Sequence, residues 1–309
     1  MQQPRPRNPQ AKPIQLQSRD QEALVLLYLC DGLMLENQLA RYCYANTHPK
    51  NATSRILALF DNRYLSRNWR DEAWRRYPKV VYWLGERGYE VVEEMLGREV
   101  DRNNKLVRSK NPHYSWTHHF QVTEVLLKVM RDAARQPDLE LWRWRTDGFF
   151  RSNAWKVKIP LKDDTGDVVL KSAIPDGFFP LVRQSGVGKG RAKVHGYILE
   201  VDRGTEPQQS SKADRFSTIA DKLRLYPALF ETQLYQTTFG LKTGRCLMVT
   251  TGWERAEHMM ELAREYQKGW AWYFTTYEEA TKPDHNILID PIWKTANQRK
   301  PIGLVPVKE

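Results

Sequence analysis

The sequence predicts a two-domain α/β protein. The 309 residues exceed what one core fills, three helical apolar patterns precede two β-rich stretches, and strand-like and helix-like segments alternate beyond residue 113. The first half reads as a winged helix-turn-helix and the second as a mixed sheet flanked by helices.

Residues 1–17 carry Pro4, Pro6, Pro9 and Pro13 among Gln, Arg and Lys, a composition that predicts a flexible basic tail. Ser18 begins a helix, with acids in its first turn and an apolar run, Ala23 to Cys30, that closes near Gly32. A second stripe of helical spacing holds Leu35, Leu39, Tyr42 and Cys43. A third, after Pro49, holds Ala52, Ile56, Leu59, Phe60 and Tyr64. Two β-rich stretches, Tyr64 to Trp69 and Lys79 to Leu84, predict a hairpin, and another helix runs to about Leu96. Residues 18–97 are thus one domain, 98–112 an Arg-, Asn- and Lys-rich linker, and 113–309 a second domain.

The second domain opens with a helix whose stripe is Val122, Val125, Leu126, Val129, Met130 and Ala133. Predicted strands follow at Leu139 to Arg145, Val168 to Phe179, Val194 to Asp202, Cys246 to Thr251 and Ala271 to Thr276. Predicted helices span Ser210 to Phe230 and Arg255 to Gln267.

Forty-eight Lys and Arg against 37 Asp and Glu give a net charge of +11, which favours a polyanionic partner. Apolar runs are far too short to span a bilayer, the start lacks a signal-peptide layout, and Cys30, Cys43 and Cys246 form no CxxC pair. The expectation is a non-secreted cytoplasmic protein without membrane association or a disulfide framework.

In a helix-turn-helix the second helix of the motif offers its first residues to base edges in the major groove. Here those are Lys50, Asn51, Ser54 and Arg55. Arg suits guanine, Asn suits adenine, and Lys and Ser suit phosphates. Arg70, Arg75 and Arg76 crowd the hairpin tip, where cations track phosphates or a minor groove. These seven residues predict double-stranded DNA as the partner. A paired site would imply a homodimer.

Two other features read more plainly. His118 and His119 are adjacent on a helix and point in different directions, which suits a structural or phosphate-facing pair better than a zinc site. Gly186, Gly188 and Gly190 lack the spacing of a phosphate-binding loop and read as a turn.

Asp176 ends one predicted strand, and Glu200 and Asp202 lie two apart on the next, so their side chains leave one face. Three converging carboxylates repel one another unless a hard cation such as Mg²⁺ or Mn²⁺ binds between them. The competing reading is an ion pair of Glu200 and Asp202 with Arg203 or Lys222 at a sheet edge.

Pro175-Asp176, followed by a strand carrying Glu200-Val-Asp202, resembles the PD-(D/E)XK nuclease superfamily. More narrowly, the Asp-Gly segment, Glu200-Val-Asp-Arg-Gly-Thr-Glu206 and Lys222-x-x-x-Tyr226 behind a winged helix resemble the replication-relaxation family of bacterial plasmids and mobile elements, over roughly residues 18–280. The resemblance implies a nucleoid- or plasmid-associated protein acting with replication, transposition or mobilisation proteins. It also implies Mg²⁺- or Mn²⁺-dependent DNA cleavage or nicking, with Asp176, Glu200, Asp202 and Lys222 at the catalytic centre and Glu124 as a further metal ligand. Asp202 stands where the superfamily carries lysine, and Lys222 is the substitute it suggests. Lys222 also fits the role of a solvated cation beside the buried stripe Phe216, Ile219, Leu223, Tyr226 and Phe230. The alternative function is a catalytically silent replication or transcription regulator that keeps the nuclease fold as a scaffold.

Overall fold

The computed structural model describes residues 6–68, 79–103, 106–107, 112–142, 144–151, 155, 157–162, 166–184, 193–205 and 218–305. It divides into two compact units, Met1–Glu124 and Val125–Glu309.

The first unit contains α1 (Ser18–Leu29), β1 (Leu33–Leu35), α2 (Glu36–Cys43), α3 (Pro49–Asp61), β2 (Leu65–Arg67), β3 (Val81–Leu84) and α4 (Glu86–Leu96). The cap of α1 is Gln17 rather than Ser18, its backbone N–H donating to Asp20 Oδ2 at 2.7 Å. Asp31 and Gly32 take left-handed backbone and turn the chain out of the helix. Leu35, expected in a helical stripe, lies in β1 instead. That strand pairs antiparallel with β3, making a three-stranded sheet of order β1-β3-β2. Pro49 opens α3 at a position whose N–H would be unbonded in any residue. Gly88 lets α4 approach closely, since a Cβ there would sit 2.1 Å from the Tyr64 carbonyl oxygen.

Residues 6–17 are not the free tail expected. Arg7 donates to the carbonyls of Phe60 (2.8 Å) and Leu65 (3.0 Å) and lies 4.8 Å from the Phe60 ring. Asn8 N–H donates to Asp61 Oδ1 at 2.9 Å. These contacts tie the segment to the end of α3 through Phe60 and Asp61 and to the start of β2 through Leu65.

Helix α5 (Pro112–Ala134) contains the division between the units. That division lies later than the expected linker at 98–112 because Trp116 and Phe120 on its first turns pack with Leu33, Leu35 and Val81.

The second unit continues with β4 (Leu139–Leu141), β5 (Arg145–Thr146), α6 (Asp147–Phe150), β6 (Lys158–Lys162), β7 (Val168–Ser172), β8 (Gly177–Arg183), β9 (Lys193–Val201), α7 (Ile219–Leu229), α8 (Gln233–Phe239), β10 (Gly244–Thr250), α9 (Trp253–Glu265), β11 (Trp272–Thr276), α10 (Tyr277–Thr281), β12 (Trp293–Thr295) and β13 (Gln298–Ile302). The main sheet runs β13-β12-β11-β10-β9-β8-β4, with β5 also on β8. β9, β10 and β11 are parallel neighbours and the other pairs are antiparallel. One core cluster packs Phe178, Ile198, Met248 and Phe274 of these strands against Leu223 and Tyr226 of α7 and Met259 of α9.

The single strand expected over Val168 to Phe179 is two strands in two sheets. β7 pairs with β6 in a separate hairpin, and β8 belongs to the main sheet. Pro175, with fixed φ and no N–H, lies in the break between them. Among the described residues no helix is long and apolar enough to cross a membrane.

Candidate functional site

The run Ala173-Ile-Pro-Asp176 delivers Asp176 to the start of β8, directly beside the end of β9. The register places Gly177 opposite Leu199, so Asp176 meets Glu200 and Val201. Asp176 Oδ2 accepts from the Val201 N–H at 2.8 Å, and the Asp176 N–H donates to Glu200 Oε1 at 3.3 Å. Each acid is therefore fastened to the backbone of the other's segment.

Helix α7 completes the site from across the sheet. Its first turn is fixed by Thr218, whose hydroxyl accepts from the Asp221 N–H while Asp221 accepts from the Thr218 N–H. That start presents Lys222 and Tyr226, one turn apart, to Glu200. Lys222 Nζ lies 2.9 Å from Glu200 Oε2, and the Tyr226 hydroxyl donates to Oε1 at 2.5 Å. Glu200 itself is 2% exposed. Its burial, then the nearby charge of Asp176, push the carboxyl up to about 7, against the opposing pull of Lys222 and Tyr226. The phenol of Tyr226 is driven well above its ordinary value, by burial and then by Glu200.

Asp202 does not join this group. The strand ends at Val201, and the carboxylate beyond it turns to Arg255 on α9, which grips both oxygens at 2.6 and 2.9 Å. The Thr250 hydroxyl donates at 2.6 Å and the Gly204 N–H at 3.1 Å. Burial favours the neutral acid, but these donors outweigh it and hold Asp202 below the ordinary carboxylate range. The expected three-carboxylate centre is thus a pair with a lysine: among the described residues no three His, Cys, Asp or Glu side chains gather as a metal cluster. The ion-pair reading offered two partners, Arg203 and Lys222. Lys222 takes Glu200, while Arg255, 53 positions from Asp202, takes Asp202.

Removing that guanidinium leaves Asp202 buried and short of donors. Arg255→Ala lowers the stability of the second unit by about 3 kcal/mol in urea unfolding. Added Mg²⁺ leaves the loss unrepaired; repair would show Asp202 to be a ligand held in reserve.

Glu124 lies in the first unit, where its carboxylate accepts from Gln38 (3.1 Å), Arg41 (2.5 Å) and Tyr42 (2.8 Å). These donors, with the Arg41 charge among them, explain an acid on that helix without a metal ion. His119 is structural: it bonds the Leu33 carbonyl oxygen at 2.7 Å in the interior.

Of the residues expected to face DNA, Lys50, Asn51 and Ser54 are exposed on the first turns of α3. Arg55 points elsewhere. Its Nη2 lies 2.5 Å from Asp20 Oδ2 and donates to the Gln15 carbonyl at 2.7 Å, while Nε reaches both Asp20 oxygens. Asp20 is fully buried, so Arg55 serves as its counter-charge. Arg70, Arg75 and Arg76 lie outside the described residues, as does the glycine-rich segment 186–191.

A family model described as Replication-relaxation matches residues 30–244, well over half of the chain. The chain belongs to the replication-relaxation family. Within this replication-relaxation protein the matched span includes Asp176, Glu200, Lys222 and Tyr226. No curated protein matches the sequence. Among solved structures, the restriction endonuclease FokI aligns at 11% identity over 85% of this chain and 43% of its own, with a TM-score of 0.24. The replication-relaxation chain thus spans less than half of that enzyme's length, and the superposition is too loose to bear on chemistry.

Proposed function

We propose that this protein binds duplex DNA through a winged helix in its first unit and hydrolyses DNA phosphodiesters at Asp176, Glu200 and Lys222 in its second. The chemistry serves replication or mobilisation of a plasmid or other mobile element, alongside that element's replication, transposition or mobilisation proteins. The carrying observation is the 2.9 Å approach of Lys222 to Glu200: the lysine missing two residues after Glu200 is supplied from α7. The order of β8, β9, α7 and β10 supports a PD-(D/E)XK type of core. The helices α1 to α3 with the hairpin of β2 and β3 support a winged helix, with Lys50, Asn51 and Ser54 toward DNA.

Two carboxylates, one pushed up to about 7 by burial and by the other's proximity, suit a hard divalent cation that keeps part of its water shell. Asp176 and Glu200 would hold Mg²⁺ or Mn²⁺, which when bound polarises a phosphate and acidifies water. Lys222 supplies positive charge where the phosphate gains negative charge, and Tyr226 fixes the Glu200 carboxylate by its hydrogen bond. Asp176, through the Val201 N–H, keeps the end of β9 in place.

A second reading, a DNA-binding regulator without turnover, is favoured by one observation: both oxygens of Glu200 already have partners. Supercoiled plasmid incubated with Mg²⁺ or Mn²⁺ separates the two. Nicked or linear product from the wild type, absent in Asp176→Asn and Glu200→Gln, supports the hydrolase. Intact plasmid with a retained gel shift leaves the silent binder. Affinity for Mg²⁺ rises with pH through about 7, because the Glu200 carboxyl must lose its proton to hold the cation. The sign for stability is opposite. A carboxyl raised in the fold stabilises it below the unfolded value of 4.5, and that contribution fades as pH climbs through about 7 without metal.

A further inference from the structure

The three parallel strands β9, β10 and β11 begin at one end of the sheet, where basic residues lie in or just before each strand. Register places Gly196 beside Gly244 and Cys246 beside Trp272, which aligns the segments 193–195, 242–245 and 268–271. None of the three contains Asp or Glu. Lys193, His195 and Lys242 are exposed, and Arg245 and Lys268 are half-buried. Trp270 stands among them 50% exposed, with the Arg245 guanidinium 5.9 Å from its ring centre. Among the described residues Lys193, Lys242, Arg245 and Lys268 take part in no ion pair, unlike Lys222, Arg55 and Arg255. Partial desolvation, then the charges of Arg245 and Lys193, hold His195 below the ordinary imidazole value, an independent sign of crowded positive charge.

From this arrangement we infer that the end of the sheet formed by Lys193, Lys242, Arg245, Lys268 and Trp270 docks single-stranded DNA, with a base stacked on Trp270. Uncompensated cations select a phosphate backbone. An exposed ring selects an unpaired base, because a duplex hides base faces in its own stack. Insertion into an anionic membrane would ask for a broad apolar face rather than one ring among cations. Roughly 15–25 Å of β9 separates this end from Glu200, so the surface is distinct from the carboxylate pair.

The test uses the full-length protein without divalent metal and a labelled oligothymidylate of about fifteen nucleotides, followed by fluorescence anisotropy. Trp270→Ala weakens binding about tenfold and Trp270→Phe restores most of it. Lys242→Glu with Lys268→Glu weakens binding and flattens its salt dependence by about 0.7 in logarithmic slope for each phosphate no longer neutralised. Duplex affinity stays unchanged in all three. The inference is overturned if oligothymidylate affinity survives both changes, if duplex affinity falls in parallel, or if only binding to phosphatidylserine vesicles depends on Trp270.

Discussion

Lys222→Met sharply lowers the proposed metal-dependent nicking of supercoiled plasmid while the proposed duplex binding survives. Loss of a preorganised charge at the reacting phosphate costs on the order of 10² to 10³ in rate. A second effect adds to it. Lys222 is the ion-pair partner of a carboxyl that is 2% exposed beside Asp176, so without it Glu200 moves further above about 7. Residual cleavage then requires a more alkaline solution than the wild type does. A pH profile of nicking for the two proteins measures both effects together, and a wild-type rate in Lys222→Met removes the lysine from the chemistry. Lys222→Arg recovers only part of the rate, since a planar fork does not replace a compact ammonium.

Arg55→Ala destabilises the first unit by about 3–5 kcal/mol, because it strands the fully buried carboxylate of Asp20 with only Tyr44 and the Gln17 N–H as donors. Burial raises the pKa of Asp20, and Arg55, Gln17 and Tyr44 together more than reverse it. The stability from this pair is therefore present above the ordinary aspartate value and lost as pH falls through the depressed one. Thermal melts at neutral pH record the difference. Lys50→Ala and Asn51→Ala leave the melt in place and weaken duplex binding instead. An Arg55→Ala protein that melts normally but loses sequence preference would return Arg55 to the reading surface.

Where periodicity is strong the sequence is a sufficient guide. The stripe of α3 lies where its pattern puts it because one face of the helix is buried, and β9 is legible as a short apolar run, Gly196 to Val201 being buried on both faces. β1 eludes such reading: three apolar residues between a turn and a helix carry no period of their own. The run from Val168 to Phe179 looks continuous because both of its strands are apolar, and Pro175 alone signals the break. At the site, Asp176, Glu200 and Lys222 are legible as chemistry and spacing. The fate of Asp202 is not, since its partner Arg255 is brought in by the crossover through β10 and α9. The cap formed by β12 and β13 has no counterpart among the expected elements, its strands being short and mixed in polarity.

The crossed backbone bonds of Asp176 and Glu200 make the two acids one hinge pin as well as the proposed reagent. Truncating either to alanine would let β8 and β9 drift at their junction, so a dead alanine variant says nothing about which property was lost. The amides Asn and Gln keep an acceptor oxygen for each N–H while removing the charge, and at Glu200 the amide nitrogen also gives up the acceptor that faces Lys222. In a lineage of such proteins the mechanical half of the pair can therefore outlive the proposed chemical half, and an amide at either position would mark a chain that keeps its shape without the proposed hydrolysis.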